Sequence, residues 1–486
     1  MKKTILFFFL FVLPLIAQTE QEFLTQQREK LQQYKKTLEK LRTHLFKKEI
    51  KMGVQSQEEF RRYLDSFLEK EIPRERNQFL SQIFSWLGLA EAGFDYRKKM
   101  LDLFSNEAVA YYDIYTKSFF FLSKDLQEDQ LGAIVLHELQ HGLQDQYYPL
   151  EPLFHIALKS DSEDLLNALR FLLEGEASML MNWCTIQKQY PDQSVPELLH
   201  QLLSLEIEGD SEVANPQSTL KIQDYFMSIL YAPYLQGMFA LSHAYKNGNW
   251  KLVDQLFSDP PTTTEQLLHF PSKYLQTRDY PTHIIWDSAA VCEALQKTSK
   301  TVLPFHSGQY TTFGEFGIYS IFHHLLQDRK QAKLISEGWD GDLFQSFDQE
   351  KASAFFWILS FDQETDVQEA FTGISSLVEK WKEQAQPFEY RISQHKQEVI
   401  LTASAPEIAD LFHQQLLTHY QTQEDTRSFH MKIQTCPACH SIHIVPILYG
   451  MPDQELSEKA NRGEVFLGGC CIEDTHYHCK NCKKQW

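Results

Sequence analysis

The spacing of apolar residues predicts a mainly helical chain with a few short β-rich stretches. Four leucines recur at seven-residue intervals near the beginning of the chain: Leu24, Leu31, Leu38 and Leu45. This spacing predicts one long amphipathic helix over residues 21–50. Its apolar seam can pack on the helices predicted at about 57 to 90, which is the simpler interpretation, or pair with a partner chain. No chemistry is predicted for this segment.

Aromatic residues change the pattern after residue 107. In "AVAYYDIYTKSFFFLS" (108–123), two β-rich runs flank a turn-like stretch at 113–117, which predicts a hairpin or two successive strands. The stretch "IVLHELQHGLQDQ" (134–146) then has the spacing of a helix. More helices are predicted downstream, on both sides of a loop at 260–264 in which Pro and Thr cluster.

A second group of elements is predicted between 311 and 385. "FGEFGIYSIFHHLL" and "DVQEAFTGISSLVEKW" have helical spacing, and "GWDGDLFQSFD" with "ASAFFWILSF" is typical of a hairpin. These elements would complete the domain that begins near residue 106. We therefore expect a mainly α fold, of the α+β class, with a small β element.

Charge and composition exclude one class of function. The 486 residues include 46 basic and 65 acidic side chains, which gives a net charge of −19. No long basic stripe is present, so we do not expect binding to the phosphates of a nucleic acid. A hydrophobic fraction of 43% is ample for the cores of two or three domains.

The first residues have the composition of a secretory signal peptide. Two lysines precede an apolar run from Ile5 to Ala17, and polar residues follow. We predict a signal peptide over 1–17 and a location outside the cytoplasm, with an uncleaved membrane anchor as the alternative. No other stretch approaches the roughly 20 apolar residues of a membrane helix, so no transmembrane span is expected after cleavage.

The predicted helix at 134–146 contains the pentad "HELQH". His137 and His141 are one turn apart, so both imidazoles can reach one ion, and Glu138 projects beside the first. In such an arrangement zinc polarises a water molecule and a carbonyl group, and the glutamate takes the proton of the water. The alternative is a solvated polar helix that matches the pattern by accident.

A zinc hydrolase needs three protein ligands, and the histidines supply two. Tyr147 stands where a third His would follow in the extended pattern, so the ligand must come from elsewhere. Glu174 and Glu176 in "RFLLEGEASML" project about 200° apart on a helix, so only one can face the metal. Helical spacing mildly favours Glu176, which shares an apolar face and needs a buried partner. Spacing alone leaves the choice open.

The pentad and the later "EGEA" segment together resemble the gluzincins, zinc peptidases with two His and one Glu as metal ligands. Position by position, the resemblance makes His137, His141 and Glu174 the ligands and Glu138 the general base. Segments such as "PPTTTEQLLHFPSKY" and "GWDGD" are similar to a less characterised group of secreted bacterial gluzincin-like proteins. The thermolysin-like E-x-x-x-D element is missing, and Asp145 is the candidate for orienting the histidines.

The resemblance also implies a mode of substrate binding. The strand "SFFFLS" would be the edge along which a peptide adds as an extra strand. The charge that develops on the carbonyl oxygen would need a Tyr or His donor. His269 and Tyr234 are candidates, although a structural hydrogen-bonding role is the simpler interpretation for each.

The end of the chain is rich in cysteine. Two C-x₂-C pairs have the spacing by which four thiolates surround a structural zinc: Cys436 with Cys439, and Cys479 with Cys482. With "PILYGMP" and "GEVFLGGCC", this segment resembles a small bacterial zinc-ribbon-like module. Disulfides are the alternative, because an extracytoplasmic compartment is oxidising.

We expect a secreted or envelope zinc metallopeptidase that acts on peptides or proteins, with one catalytic Zn²⁺ and a second, structural Zn²⁺. A non-catalytic envelope binding or assembly protein on a zincin scaffold is the rival interpretation. No oligomeric state is predicted. The expected organisation is a signal peptide (1–17), an N-terminal helical segment (18–105), a zincin-like domain (106–385), a linker with a small strand-helix element (386–430) and a zinc-ribbon-like module (431–486).

Overall fold

The computed structural model divides the chain into two compact units, Met1–Phe429 and His430–Trp486. The predicted signal peptide lies outside the residues that the structure describes. Those residues are 20–122, 128–208, 221–298, 309–347, 354–383 and 388–423 in the first unit, and 438, 444–449, 460, 465–469, 475, 477–480 and 482–485 in the second.

The first unit is mainly helical, which confirms the coarse fold class. Two π-helical turns, π1 (Pro233–Gly237) and π2 (Phe270–Gln276), interrupt the α-helices. The helices are α1 (Glu20–Arg42), α2 (Gln57–Glu71), α3 (Arg74–Trp86), α4 (Tyr96–Glu107), α5 (Glu128–Tyr147), α6 (Leu150–Lys159), α7 (Glu163–Gln189), α8 (Val195–Glu208), α9 (Lys221–Ala232), α10 (Met238–Ser258), α11 (Glu265–Leu268), α12 (Ser288–Thr298), α13 (Gly314–Leu326), α14 (Arg329–Ser336), α15 (Glu364–Glu383) and α16 (Ala409–His419).

The strands of the first unit form three small sheets, of order β1-β3-β2, β10-β4 and β5-β6-β7-β9-β8. These sheets are the ones found among the described residues of the first unit. The strands are β1 (Lys51–Val54), β2 (Ala110–Asp113), β3 (Ser118–Phe121), β4 (His283–Trp286), β5 (Tyr310–Thr311), β6 (Trp339–Phe347), β7 (Ala354–Phe361), β8 (Glu389–His395), β9 (Glu398–Ser404) and β10 (Tyr420–Gln423).

Helix α1 is shorter than the predicted helix and packs on the same chain. It ends at Arg42, and Leu45 beyond it is 67% exposed. Leu31 and Leu38 of the heptad seam are buried, and α1 packs on α5 and β1. The predicted contact with the helices at 57–90 is therefore not the main one, because the seam covers the helix that contains "HELQH".

The aromatic hairpin forms as predicted, but its role in the sheet differs. Strands β2 and β3 pair antiparallel, and Lys117 at the turn adopts a positive φ of 54°. Strand β1 pairs parallel with the other side of β3. The expectation that "SFFFLS" is an edge strand was wrong, because residues 51–54, which nothing in the periodicity marked as a strand, occupy that edge.

The larger sheet is built from the predicted hairpin β6-β7 and two strands from the expected linker. Strands β8 and β9 pair antiparallel with each other, and β9 pairs with β7. All eight residues of β7 are buried, since helices α15 and α16 pack on this sheet. The segment expected as a linker with a small strand-helix element thus completes a sheet of the first unit.

The second unit contains a three-stranded sheet of order β12-β11-β13 among its described residues. Its strands are β11 (Ile444–Tyr449), β12 (Phe466–Gly469) and β13 (Tyr477–Cys479). Across the described ranges of both units, no helix combines the length and apolarity that crossing a bilayer requires.

Candidate metal centre

Helices α5 and α7 lie side by side and bring three predicted ligands together. His137 and His141 project from successive turns of α5, and their Nε2 atoms are 3.1 Å apart. Glu174 of α7 places Oε2 3.0 Å from His137 Nε2 and 3.4 Å from His141 Nε2. The three side chains are largely buried, with 9%, 13% and 24% of their surfaces exposed.

The geometry of these three atoms fits a zinc ion. Zinc bonds to His N and carboxylate O are about 2.0–2.2 Å long, and at tetrahedral angles they separate neighbouring ligand atoms by about 3.3 Å. The observed edges of 3.0, 3.1 and 3.4 Å match this triangle. Two imidazoles and one carboxylate also leave a fourth position for substrate or water, as in catalytic zinc sites.

The charges of the three groups are strongly coupled. Burial alone would raise the pKa of Glu174, but the two imidazoles beside it outweigh burial and hold that pKa well below its usual range. Burial alone would lower the pKa of His141, but the Glu174 carboxylate raises it to about 9. The carboxylate is therefore ionised, and a bound cation would replace the proton that the imidazoles share with it.

Glu176, the ligand that helical spacing favoured, faces the other side of α7. It is fully buried, as its apolar face predicts, but its partner is a cation from another helix. Arg42 Nε donates to Glu176 Oε1 at 2.5 Å, and the side-chain amides of Gln140 and Gln144 each donate to Oε2 at 2.8 Å. The structure thus separates the two carboxylates: Glu174 lies with the histidines and Glu176 with Arg42.

Gln144, which the sequence analysis overlooked, orients His141. Its Oε1 lies 2.9 Å from His141 Nδ1, and its Nε2 donates to the carbonyl of Leu173 at 3.0 Å and to Glu176. Both of those partners only accept hydrogen bonds, so the amide must present its oxygen to His141. His141 therefore keeps a proton on Nδ1, and a metal that displaces the proton on the Nε2 side can bind the lone pair of Nε2.

Asp145, the residue proposed for that orienting role, is used elsewhere. It accepts from the Tyr112 hydroxyl at 2.8 Å and forms an ion pair with Lys117 at 2.9 Å. It therefore ties α5 to the hairpin of β2 and β3. The i, i+3 spacing of His141 and Gln144 was the sequence signal for the orienting amide, since residues three apart are neighbours on a helix.

Glu138 follows His137 on α5 and contacts β2. The backbone N–H of Tyr112 donates to its Oε2 at 2.8 Å. Burial raises the pKa of Glu138, while the two imidazoles oppose that shift. A carboxylate with a raised pKa is a stronger base than a free one, which suits a group that must take a proton from water.

Tyr234 also lies at the centre, on the turn π1. Its ring stacks on that of His137 at a centroid distance of 5.6 Å, and burial, with the Glu174 carboxylate nearby, raises the pKa of its hydroxyl well above the usual value. The close approach depends on glycine at Gly175, because a Cβ there would lie 2.6 Å from the carbonyl oxygen of Gly237. The other candidate donor, His269, pairs with Glu315 at 2.8 Å.

A second cluster of acidic residues, among those that the structure describes, surrounds a lysine. Glu265, Asp279 and Asp362 place carboxylate oxygens close together. Lys273 Nζ lies 3.1 Å from Glu265 and 2.5 Å from each of the aspartates. A cation of the chain itself thus lies among the three acidic groups, and burial raises the pKa of Glu265 to about 9, so the arrangement is an ion-pair network.

One of the two predicted cysteine pairs can be described. The backbone N–H of Cys482 points to Cys479 Sγ at 3.4 Å, at the end of β13. This contact links the two ends of the C-x₂-C pair, whose spacing suits a structural metal site. Cys436 and Cys439 lie outside the described residues, so their predicted role as ligands stays a prediction.

Comparison with known proteins gives one partial match. A family model described as a domain of unknown function (DUF8575) matches residues 300–413, which include α13 to α15 and β6 to β9. That range does not include α5 or α7. No curated protein and no solved structure matches the chain.

Proposed function

We propose that this protein is a zinc-dependent metallopeptidase of the gluzincin type that acts outside the cytoplasm. The observation that carries the proposal is the triangle of ligand atoms from His137, His141 and Glu174, with edges of 3.0 to 3.4 Å. Glu138 lies beside that triangle, held by the N–H of Tyr112. Metal-dependent hydrolysis of a peptide bond requires such a set of ligands with a carboxylate beside it.

Each group at the centre has a role in the proposed reaction. A bound Zn²⁺ would act as a Lewis acid toward the scissile carbonyl and the attacking water. Glu138 takes a proton from that water and passes it to the leaving amine, which its raised pKa favours. Tyr234 donates its hydroxyl proton in a hydrogen bond to the carbonyl oxygen as negative charge develops there.

The edge strand β2 is the proposed site of peptide binding. The carbonyls of Val109 and Asp113 accept hydrogen bonds from Leu122 and Lys117 on the β3 side. Because successive residues of a strand alternate in direction, the backbone groups of Ala110 and Tyr112 face away from β3. One of these groups, the Tyr112 N–H, already reaches Glu138. An extended peptide pairing there would lie across the metal centre.

The C-terminal cysteines are the proposed ligands of a second, structural zinc. Cys479 and Cys482 have the C-x₂-C spacing, and the backbone N–H of Cys482 contacts the sulfur of Cys479. With Cys436 and Cys439 they would complete a tetrahedral site. We expect two zinc ions per full-length chain. If the chain binds a single zinc ion and His137→Ala loses it, disulfides among the C-terminal cysteines are favoured instead.

Substitution of the proposed base tests the function directly. Glu138→Gln should keep its zinc and lose about 10²–10⁴-fold in cleavage of a denatured protein, because a positioned base contributes that much. Glu379→Gln changes a carboxylate that is 70% exposed on α15 and serves as the control with unchanged turnover. Full activity of Glu138→Gln would reject the mechanism.

A second pair of variants separates the two glutamates of α7. Glu174→Ala should lower zinc content, because it removes a ligand atom 3.0 Å from His137 Nε2. Unchanged zinc in that variant would contradict the assignment of Glu174. If chelator-insensitive binding of unfolded protein occurs without cleavage, the rival function, a binding protein on this scaffold, is the better conclusion.

A further inference from the structure

We propose that Arg42, Glu176 and Gln144 form a positioning relay for His141, so that the N-terminal helix α1 completes the metal centre. The inference rests on the proposed function, since it assigns how one ligand of that centre is held. None of the three residues is a ligand. Each acts through the next, and the last fixes which nitrogen of His141 faces the metal.

The relay begins at the last residue of α1. Arg42 is 1% exposed, and its Nη2 donates to Asp254 Oδ1 at 2.5 Å while its Nε donates to Glu176. Its guanidinium also lies over the Trp250 ring at 4.6 Å. The residue is therefore clamped by α7 and α10 on three sides, and it cannot turn toward solvent without breaking these contacts.

Glu176 transmits this constraint to α5. Facing a guanidinium that stays charged, the carboxylate acts only as an acceptor. Its Oε2 accepts from both Gln140 and Gln144 at 2.8 Å. Both glutamines must therefore turn their amide nitrogens toward Glu176, although only one of them reaches a histidine.

The orientation of the Gln144 amide selects the tautomer of His141. Its nitrogen is fixed on Glu176 and Leu173, so its oxygen faces His141 Nδ1 at 2.9 Å. If the amide turned over, an N–H would face Nδ1 and would favour the tautomer with a proton on Nε2. A proton on Nε2 occupies the lone pair that a metal needs, so the relay raises metal affinity without touching the ion.

The two glutamines provide a matched test. Gln140→Met and Gln144→Met each remove one buried amide that donates to the same oxygen of Glu176, but only Gln144 contacts His141. Zn²⁺ is titrated into the metal-stripped full-length proteins against a competing chelator. The Zn²⁺ bound by the His137→Ala protein measures the sites outside this centre and is subtracted from each titration. We expect Gln144→Met to lose 10–100-fold in Zn²⁺ affinity and Gln140→Met to stay near the unsubstituted protein.

Thermal melting of the metal-free proteins separates positioning from folding. A purely structural role predicts that both glutamine variants lose stability and affinity to the same extent, and that outcome would overturn the relay. If Gln144→Met does not fold, Glu176→Gln replaces it, because the isosteric amide can donate as well as accept and so releases Gln144. Unchanged Zn²⁺ affinity in folded Glu176→Gln would also overturn the relay.

Failure of the proposed function gives a different result. If the unsubstituted protein and His137→Ala bind the same amount of Zn²⁺, the metal centre itself is rejected, and the relay with it. If His137→Ala loses one ion while Gln144→Met and Gln140→Met both bind Zn²⁺ normally, only the relay is rejected.

Discussion

Gly175→Ala is the sharpest test of how packing positions the candidate donor Tyr234. Gly175 follows the proposed ligand Glu174 on α7, and it faces the turn π1. A Cβ there would lie 2.6 Å from the carbonyl oxygen and 2.8 Å from the Cα of Gly237. These are backbone atoms, so no side chain can rotate away to make room.

The size of the effect follows from these distances. The carbonyl carbon of Gly237 would lie closer to this Cβ than the Cα does at 2.8 Å. Because carbon atoms pack at about 3.5–4.0 Å, α7 and π1 must separate by more than about 0.7 Å. Overpacking of this kind costs about 1–3 kcal/mol, and the better helix propensity of Ala returns about 1 kcal/mol. Stability therefore falls only modestly. Tyr234 moves with π1, and a displacement near 1 Å costs about 10²-fold in rate.

The assay compares kcat/KM, zinc content and melting temperature. We expect Gly175→Ala to keep its zinc, because the turn π1 that the new Cβ displaces carries none of the three ligands, and to lose about 10²-fold in kcat/KM. Gly373→Ala is the control: its Cβ would meet the flexible end of Ile335 at 2.5 Å, so it tests overpacking far from Tyr234. A turnover of Gly175→Ala within about twofold of the unsubstituted protein would show that the packing of π1 on α7 does not position Tyr234.

Three further predictions follow from other groups. Tyr234→Phe keeps the ring stacked on His137 but loses the hydroxyl, so kcat should fall about 10²–10³-fold at full zinc occupancy; an unchanged kcat would limit Tyr234 to packing on His137. Burial raises the pKa of Asp164 to about 8, so the folded protein keeps a proton that the unfolded chain releases near pH 4. The free energy of unfolding should therefore fall as pH rises from about 4 to 8, and urea titrations of Asp164→Asn should show a shallower fall; equal slopes would contradict this. Removing metal with a chelator should lower the melting temperature, since free Zn²⁺ at 100 times its dissociation constant stabilises by about 2.7 kcal/mol; His137→Ala should lose the part of that shift that belongs to this centre.

The local features of this protein follow from its sequence pattern. The mainly helical class, the hairpin of β2 and β3 and the one-turn spacing of His137 and His141 were all predicted, because helical and strand periodicity are properties of neighbouring residues. The burial of Glu176 was predicted for the same reason. Its apolar neighbours lie three and four positions away, and residues at that spacing share one face of a helix.

Contacts between residues of different elements became visible in the folded chain. Glu174 rather than Glu176 joins the histidines because Arg42, 134 positions before Glu176, holds the latter. Residues 51–54 pair with "SFFFLS" and occupy the edge position that was predicted for that strand. Strand β2 is the edge that lies beside Glu138. Charge pairing and strand pairing act between segments far apart in sequence, and the periodicity within one segment has no information about its partner.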